Sequence, residues 1–195
     1  MNKLILQEFV SVDGFLADRD KTTGFFDGTY NGLAQDVDEH QGEFCKSINL
    51  ILLGTNTYKM FVEYWPNATS EDSSVTEAIN SIPKIVFSKS LHEVQWGNYA
   101  NISLESEDAV EQIKLLKETG NGNIVMWGSI SLAQSLLQAN LFDEIQLMVV
   151  PVAIGKGYKL FPEESKLLPL KLTKQQTFSD GTILNVYKPD YTTVP

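Results

Sequence analysis

The chain has 195 residues, 43% of them hydrophobic, and its 15 Lys and Arg against 25 Asp and Glu give a formal net charge of -10. A chain of this length can bury about 70% of its unfolded surface in one core, so we expect one domain over residues 1–189 and a short tail over residues 190–195. The acidic balance argues against nucleic acid and anionic membranes as partners, and no apolar run reaches the ~20 residues of a membrane-spanning helix.

The first half of the sequence alternates strand and helix patterns. Residues 3–12 are apolar on both faces, which indicates a central strand covered on both sides, and Asp13-Gly14 ends it. The polar, glycine-bearing stretch 17–31 is longer than an ordinary connection, which favours a functional loop. The pattern then predicts a helix over 32–47, a strand over 50–53 and a helix over 57–64.

The second half continues the alternation and closes with a hairpin. Ser179-Asp180-Gly181 is a hairpin signal between two strand patterns. Strands that alternate with helices indicate a mostly parallel sheet, and the hairpin adds an antiparallel edge. The predicted elements are strands over 85–87, 101–104, 124–126, 144–150, 170–178 and 182–187, and helices over 107–118 and 129–139.

Four predicted strand ends carry glycine or hydroxyl side chains, at 54–57, 88–90, 128–131 and 155–157. Ligands of parallel α/β sheets bind at the carboxyl ends of the strands. Glycine lets a ligand approach the main chain, and a helix that begins just after it points unpaired N–H groups at an anion, so the segments together favour a nucleotide site. Each segment alone is also typical of an ordinary helix cap or turn, and that alternative stays open.

Five segments give the sequence a specific resemblance to a known family. They are, in chain order, SVDGF, LLGTNTY, VFSKSL, IVMWGSISLAQSLL and LFDEIQLMVVPVAIGKGYKLF. Together they resemble the dihydrofolate-reductase-like family, in particular the reductase domain of the bifunctional riboflavin-biosynthesis deaminase-reductase and its free-standing bacterial form. The resemblance implies an α/β fold with a mostly parallel central sheet of about eight strands, a C-terminal antiparallel hairpin and helices on both faces.

The resemblance also implies a chemistry, which is hydride transfer from NADPH to a small heterocyclic, pyrimidine-like or pteridine-like substrate. Because Arg19 is the only arginine, a preference for NADPH rests on Lys89, and NADH stays possible. The residues matched to the cofactor site are Gly54, Thr55, Thr57, Ser88, Lys89, Gly128, Ser129 and Ile130. The residues assigned to the substrate side are Asp13, Gly14, Phe26, Trp65 and Gly155; Trp65 equally suits the closing of the core at a helix end.

Reduction of an imine or a carbonyl needs a proton donor near the atom that accepts the hydride. Asp27 is the predicted donor, because the adjacent Phe25-Phe26 pair can desolvate its carboxyl group and raise its pKa. Water can serve equally well. No metal site is expected, because His40 and His92 are far apart in the sequence and have no companion cysteine cluster.

Two classes of function stay open from the sequence. The first is a nicotinamide-dependent reductase of a small molecule, and the second is a binding or assembly module that keeps the fold without turnover. The single cysteine, Cys45, cannot form an internal disulfide and the first residues lack a long apolar segment, so a cytoplasmic location is expected. The resemblance implies a homodimer, with a contact expected at strand 144–150, which is apolar on both faces, and at the closing hairpin.

Overall fold

The computed structural model describes residues 1–26, 33–161 and 167–192. Its strands are β1 (Lys3–Ser11), β2 (Phe15–Asp18), β3 (Ile48–Gly54), β4 (Lys84–Phe87), β5 (Ile102–Glu105), β6 (Asn123–Trp127), β7 (Glu144–Val150), β8 (Gly157–Lys159), β9 (Leu170–Thr177) and β10 (Ile183–Pro189). Its helices are α1 (Gln35–Cys45), α2 (Thr55–Tyr64), α3 (Thr76–Ser81), α4 (Ala109–Glu118) and α5 (Ile130–Gln138), with a single 3-10 turn at Trp65–Asn67.

The main sheet has eight strands in the order β5-β4-β3-β6-β1-β7-β10-β9. Neighbouring strands from β5 to β7 run parallel, whereas β10 pairs antiparallel with both β7 and β9. The predicted fold class is therefore confirmed: a mostly parallel α/β sheet that ends in a C-terminal antiparallel hairpin. Because the parallel strands all end at one edge of the sheet, the loops that follow them lie side by side.

Alternate residues of β1 face opposite sides of the sheet, and both sides carry helices. Leu4 and Leu6 pack with Ile113 of α4 and Leu136 of α5. Ile5 faces the other side and joins a cluster to which α1, α2 and α3 contribute. Burial of apolar surface contributes about 25 cal/mol per Å², so the two clusters fix the helices on both faces, as predicted.

A second, two-stranded sheet replaces part of the long loop predicted over 17–31. β2 pairs antiparallel with β8, and Asp18 lies opposite Gly157. A Cβ on Gly157 would lie 2.0 Å from the carbonyl oxygen of Ala17, so the glycine is required by the close approach of these two strands. Residues 27–32, which hold the last part of the predicted loop and the predicted start of the first helix, lie outside the described residues.

The predicted elements differ from the structure in several places. The first helix, predicted over 32–47, is α1 at Gln35–Cys45, and the strand predicted over 50–53 is β3 at Ile48–Gly54. α2 begins at Thr55, two residues before the predicted start, because Gly54 adopts the extended conformation of an N-cap at φ -94° and ψ 173°. The short helix α3 was not predicted, because its 6 residues are too few to show a helical period. In the described part of the chain, every helix is too short or too polar to cross a membrane.

Strand β7 lies inside the sheet, between β1 and β10. Met148 is fully buried and packs in a cluster with Leu184 of β10. Leu147 and Val149, on the other face, pack against the main apolar cluster. Both apolar faces of β7 thus find partners within the chain, so the apolar character of β7 does not require a second copy. The homodimer stays a prediction.

Candidate active site

A deep cleft opens at the carboxyl ends of β1 and β6, beside the start of α2. Its volume of about 1680 Å³ exceeds the roughly 300–1000 Å³ that one small ligand needs. A second cavity of about 380 Å³ lies over the ends of β3 and β4. Asn56, Ser129 and Ser131 belong to the walls of both cavities. The two cavities therefore adjoin along a shared wall, and together they are called the groove.

The turn after β6 stands where the two cavities meet. Gly128 and Ser129 both adopt positive φ, at 60° and 51°. A Cβ on Gly128 would lie 2.1 Å from the Oγ1 atom of Thr57. The same Oγ1 atom accepts a hydrogen bond of 2.9 Å from the main-chain N–H of Ser129. The predicted glycine is thus needed for close packing of the turn against α2, and Thr57 holds the turn in place.

The helices α2 and α5 both begin at the groove. No described side chain caps the start of either helix by a hydrogen bond. First-turn residues of both helices, namely Asn56, Ile130 and Ser131, line the groove. Unpaired N–H groups in the first turn of a helix favour an anion such as a phosphate. Gly54 brings the two helix starts together, because a Cβ on it would lie 2.0 Å from the Cβ of Ser129.

The smaller cavity is lined by residues that the sequence resemblance assigns to the cofactor site, among them Thr55, Ser88 and Lys89. Thr55 donates a hydrogen bond of 2.8 Å to Ser88, which ties the end of β3 to the end of β4. Lys89 is exposed and is the only cation among the described residues that line this cavity. Glu107 and Asp108 lie in the same wall, and Asp108 caps α4. The cavity therefore combines one positive charge with two negative ones.

Aromatic side chains form two walls of the main cleft. Phe26 stacks on Phe9 with the ring centroids 4.6 Å apart and the planes at 16°. On another wall, Phe61 packs against Trp127 at 6.3 Å and against Trp65 at 6.1 Å. Phe26 and Trp65 thus line the cleft, and Trp65 also packs against a core cluster; their contact with a substrate stays a prediction. Flat apolar walls suit the faces of a flat heterocycle.

A network of buried amides supports the floor of the cleft and was not predicted. Gln7 of β1 is 2% exposed. Its Oε1 atom accepts hydrogen bonds of 2.8 Å from the indole Nε1 of Trp127 and from Nε2 of Gln41. Its Nε2 atom donates to Gln146 at 2.8 Å. The network fixes the ring of Trp127, and its sequence signal was a glutamine inside the apolar run LILQEFV.

The role of Glu8, the next residue of β1, was also not predicted. Its side chain lines the cleft, and its Oε1 atom accepts a hydrogen bond of 2.8 Å from the main-chain N–H of Gly128. Desolvation by the surrounding protein raises the pKa of Glu8 to about 8, although the hydrogen bond from Gly128 acts in the opposite direction. A carboxyl group in an apolar strand was the signal that could have identified it.

Asp13 and Gly14 support the cleft from outside it. The carboxylate of Asp13 accepts hydrogen bonds of 2.6 Å from the Ser11 hydroxyl and 2.7 Å from the N–H of Gly155. These bonds hold the pKa of Asp13 below its ordinary value. Of the predicted site residues that the structure describes, Asp13, Gly14 and Gly54 lie outside the lining of both cavities, whereas Gly155 lines the main cleft. Asp13 therefore anchors the loop that carries Gly155.

Two further ionisable residues, Asp38 and Cys45, also line the main cleft. Asp27 lies outside the described residues, so its role as proton donor stays a prediction. The carboxylate of Asp38 accepts a hydrogen bond of 2.7 Å from Ser74 N. Burial raises the pKa of Cys45 to about 12, as expected of a core thiol. In the described ranges, no three His, Cys, Asp or Glu side chains come together as a metal site requires.

Comparison with known proteins places this geometry in a family. Residues 2–184 match the family model of the RibD C-terminal domain. The uncharacterized protein YyaP of Bacillus subtilis (strain 168) is 27% identical over 187 residues, which cover 95% of this chain and 94% of YyaP.

Two solved structures share the fold at low sequence identity. The diaminohydroxyphosphoribosylaminopyrimidine deaminase/5-amino-6-(5-phosphoribosylamino)uracil reductase of Thermotoga maritima superposes with a TM-score of 0.68 at 16% identity, over 97% of this chain and 57% of that chain. Dihydrofolate reductase of Enterococcus faecalis, in complex with NADP(H), superposes with a TM-score of 0.59 at 13% identity, over 96% of both chains. The family match spans nearly all of the sequence, and the chain therefore belongs to the RibD C-terminal domain family, with the fold of the dihydrofolate reductases.

Proposed function

We propose that the chain is a reductase that uses NADPH, with NADH as a weaker alternative, to reduce a small pyrimidine-like or pteridine-like heterocycle. The observation that carries the proposal is the junction of the two cavities at Gly128 and Ser129, where two uncapped helix starts meet. A dinucleotide is long and carries phosphates at its centre, which matches a groove with anion-binding N–H groups at its middle. The dihydrofolate reductase with the same fold binds NADP(H).

The residues that line the two cavities divide into two groups in this proposal. Asn56, Thr57, Ser129 and Ile130 hold the phosphates and the nicotinamide end of the cofactor, while Thr55, Ser88 and Lys89 hold the adenosine end. When bound, the reduced nicotinamide supplies a hydride. The aromatic walls at Phe9–Phe26 and Phe61–Trp127 exclude water and orient the heterocycle by its faces.

Titration with NADPH and NADH, followed by tryptophan fluorescence, tests the proposal. Trp127 lines the cleft, and the absorption of reduced nicotinamide overlaps tryptophan emission, so we expect saturable quenching with energy transfer to the cofactor. Trp127→Phe is expected to reduce this signal and to leave the part that comes from Trp65, which lines the same cleft, whereas Trp96→Phe keeps most of the signal because Trp96 is 0% exposed and lies outside the cleft lining. A flat response to both cofactors favours the non-catalytic module instead.

Cofactor-dependent turnover is the second measurement on the parent protein. The substrates to offer are 5-amino-6-(5-phosphoribosylamino)uracil and dihydrofolate, one for each class of relative. Consumption of NADPH that depends on either compound supports reduction of that class. Tight binding of NADPH with no consumption in a wider panel of pyrimidines and pteridines contradicts the catalytic part of the proposal and leaves a binding module.

We expect Lys89→Ala to weaken NADPH binding by about 1–2 kcal/mol, the scale of one charge-assisted contact, and to leave NADH nearly unchanged. The reason is that only NADPH carries the 2′-phosphate that a cation in the smaller cavity can meet. Glu107→Gln removes a negative charge from the same wall and is expected to strengthen NADPH binding. Dissociation constants for both cofactors at fixed ionic strength provide the measurement.

Lys188→Ala is the matched control, because Lys188 is an exposed lysine on β10, across the sheet from Lys89. It changes the net charge by the same amount and is expected to leave both affinities unchanged. Equal losses for NADPH and NADH in Lys89→Ala contradict a role for Lys89 in reading the phosphate.

A further inference from the structure

Glu8 is a carboxyl group placed where the strand pattern calls for an apolar side chain. It shares its face of β1 with Leu6 and Val10, which are buried in the main apolar cluster. Among the described residues, its carboxyl group accepts a hydrogen bond of 2.8 Å from the main-chain N–H of Gly128. The ion pairs found in the described part of the chain do not include Glu8. Glu8 is half-buried, and a carboxyl group that is largely removed from water without a cation is costly to ionise, so Glu8 holds a proton more tightly than an exposed glutamate does.

The position of this proton follows from the hydrogen bond. The Oε1 atom faces the N–H of Gly128 and acts as an acceptor, so the proton of the neutral acid resides on Oε2. Glu8 also lines the cleft, so a cleft ligand can approach its carboxyl group. With a pKa raised to about 8, most of the carboxyl group is protonated at neutral pH. This combination meets the two needs of a general acid, which are reach and a pKa close to the working pH.

The other ionisable groups of the cleft are engaged or exposed. Asp38 accepts from Ser74 N at 2.7 Å, and Asp72 accepts from Thr69 N at 2.6 Å, while Glu63 is exposed to solvent. The remaining titratable side chains in the cleft lining come from the β2–β8 side and from the two helices that flank it; they are Lys21, Lys156, Tyr158, Lys159, Cys45 and Tyr64.

We propose that Glu8 is the catalytic residue that donates the proton in the reduction, an inference that rests on the proposed reductase function. In this step the Oε2–H bond of Glu8 breaks, and the proton forms an N–H or O–H bond on the heteroatom of a C=N or C=O group in the substrate. The adjacent carbon receives the hydride, which brings both electrons, so one hydride and one proton complete the reduction. The Glu8 carboxylate is then reprotonated from solvent through the cleft.

The hydrogen bond from Gly128 links the Glu8 carboxyl group to the turn after β6, beside which the proposed cofactor binds. As the carboxylate forms, the N–H of Gly128 stabilises its negative charge, and charge-assisted hydrogen bonds are stronger than neutral ones. A positive nicotinamide ring beside the same turn also favours the carboxylate. The oxidised cofactor is therefore expected to lower the affinity of Glu8 for its proton, whereas the neutral reduced ring leaves the proton in place.

The test is the number of protons released when NADP⁺ binds, measured by calorimetry at pH 7.5 in two buffers of different ionisation enthalpy. We expect the parent to release roughly half a proton or more per site with NADP⁺ and much less with NADPH. Glu8→Gln is nearly isosteric and replaces a group that is already neutral, so it is expected to fold and to bind NADP⁺ within a few-fold of the parent while releasing no proton. Glu63→Gln, an exposed carboxylate of the same cleft, serves as the matched control and keeps the release.

A turnover measurement completes the test with whichever heterocycle the parent reduces. Glu8→Gln is expected to have a kcat at least ~100-fold below that of the parent, and its kcat is not expected to fall above about pH 8. Glu8→Asp keeps a carboxyl group and is expected to retain part of the parent rate. Equal proton release in parent and Glu8→Gln, or full kcat in Glu8→Gln, overturns the inference and leaves the reductase proposal standing. Loss of the release in Asp27→Asn instead assigns the proton to Asp27. Failure of the parent to bind either cofactor overturns both proposals.

Discussion

Gly128→Ala is expected to weaken NADPH binding by at least ~100-fold, or about 2.7 kcal/mol. The added Cβ would lie 2.1 Å from the Oγ1 of Thr57, so either Thr57 or the turn has to move. Movement of either group breaks the hydrogen bond from Ser129 N to Thr57, which places the start of α5 at the groove. Fluorescence titration with NADPH measures the loss.

The same substitution also lowers stability, and a control separates the two effects. Gly128 has φ 60°, so alanine adds a backbone penalty of about 1–2 kcal/mol before any overlap is counted. Gly181→Ala, in the β9–β10 turn, has φ 86° and meets nothing closer than the Cγ of Pro151 at 3.5 Å. It is expected to melt earlier by a similar backbone penalty and to bind NADPH normally. Normal NADPH binding by a destabilised Gly128→Ala makes Gly128 a structural turn and favours the non-catalytic module.

The sheet could be predicted from the sequence because its strands carry strong, local signals. The runs at β1, β3 and β6 are apolar on both faces, as parallel strands buried on both sides must be. The glycine and hydroxyl residues after these strands follow from the same geometry, because parallel strands end at one edge. The clustering of Thr57, Gly128 and Ser129 was therefore predictable, even though the immediate reason for Gly128 is its contact with Thr57.

The features that the sequence did not reveal depend on contacts between distant segments. β2 and β8 are short strands of 4 and 3 residues that are stable only against each other, so neither shows a pattern of its own. Glu8 and Gln7 are visible as polar residues in an apolar run, but their roles depend on Gly128, Trp127 and Gln146, more than a hundred residues away. Local periodicity carries no information about such partners.

Two ionisable groups, the half-buried Glu8 and the buried Lys84, are expected to give the free energy of unfolding an unusual dependence on pH. Burial raises the pKa of Glu8 from 4.5 to about 8, and it lowers the pKa of Lys84 from 10.5 to about 8. Lys84 is 2% exposed; its amine donates to the Ile82 carbonyl at 2.7 Å and lies 4.6 Å from the centre of the Trp96 ring. Neither group pairs with an opposite charge in the described part of the chain.

The signs of the two contributions are opposite. Between pH 4.5 and 8 the folded chain binds the Glu8 proton more tightly than the unfolded chain does, so stability is present below pH 4.5 and is lost as the pH rises through 8. Between pH 8 and 10.5 the unfolded chain binds the Lys84 proton more tightly, so stability rises with pH in that window. We therefore expect a minimum in stability near pH 8.

In a plot of the free energy of unfolding against pH, Glu8 produces an acid limb below pH 8 and Lys84 an alkaline limb above it. The size of each limb follows from the pKa shift of its group, at about 1.4 kcal/mol per pKa unit. The Glu8 limb is expected to lower the free energy of unfolding by roughly 3–5 kcal/mol, and the Lys84 limb to restore roughly 2–3 kcal/mol. Cys45 and Tyr191, whose pKa values burial raises to about 12, oppose the second limb at higher pH, so the rise is clearest just above pH 8. Urea unfolding at closely spaced pH values from 5 to 10 measures the profile.

Single substitutions assign each limb of this profile to its group. Glu8→Gln is expected to flatten the acid limb and to leave the alkaline limb in place. Lys84→Met keeps the length of the side chain and removes its charge, and the carbonyls of Asn80 and Ile82 keep hydrogen bonds from the side-chain amide of Asn101. It is expected to flatten the alkaline limb alone. A parent whose stability does not fall from pH 5 to 8 contradicts the protonated state of Glu8, because a carboxylate that is ionised in both the folded and the unfolded chain contributes no slope in that range.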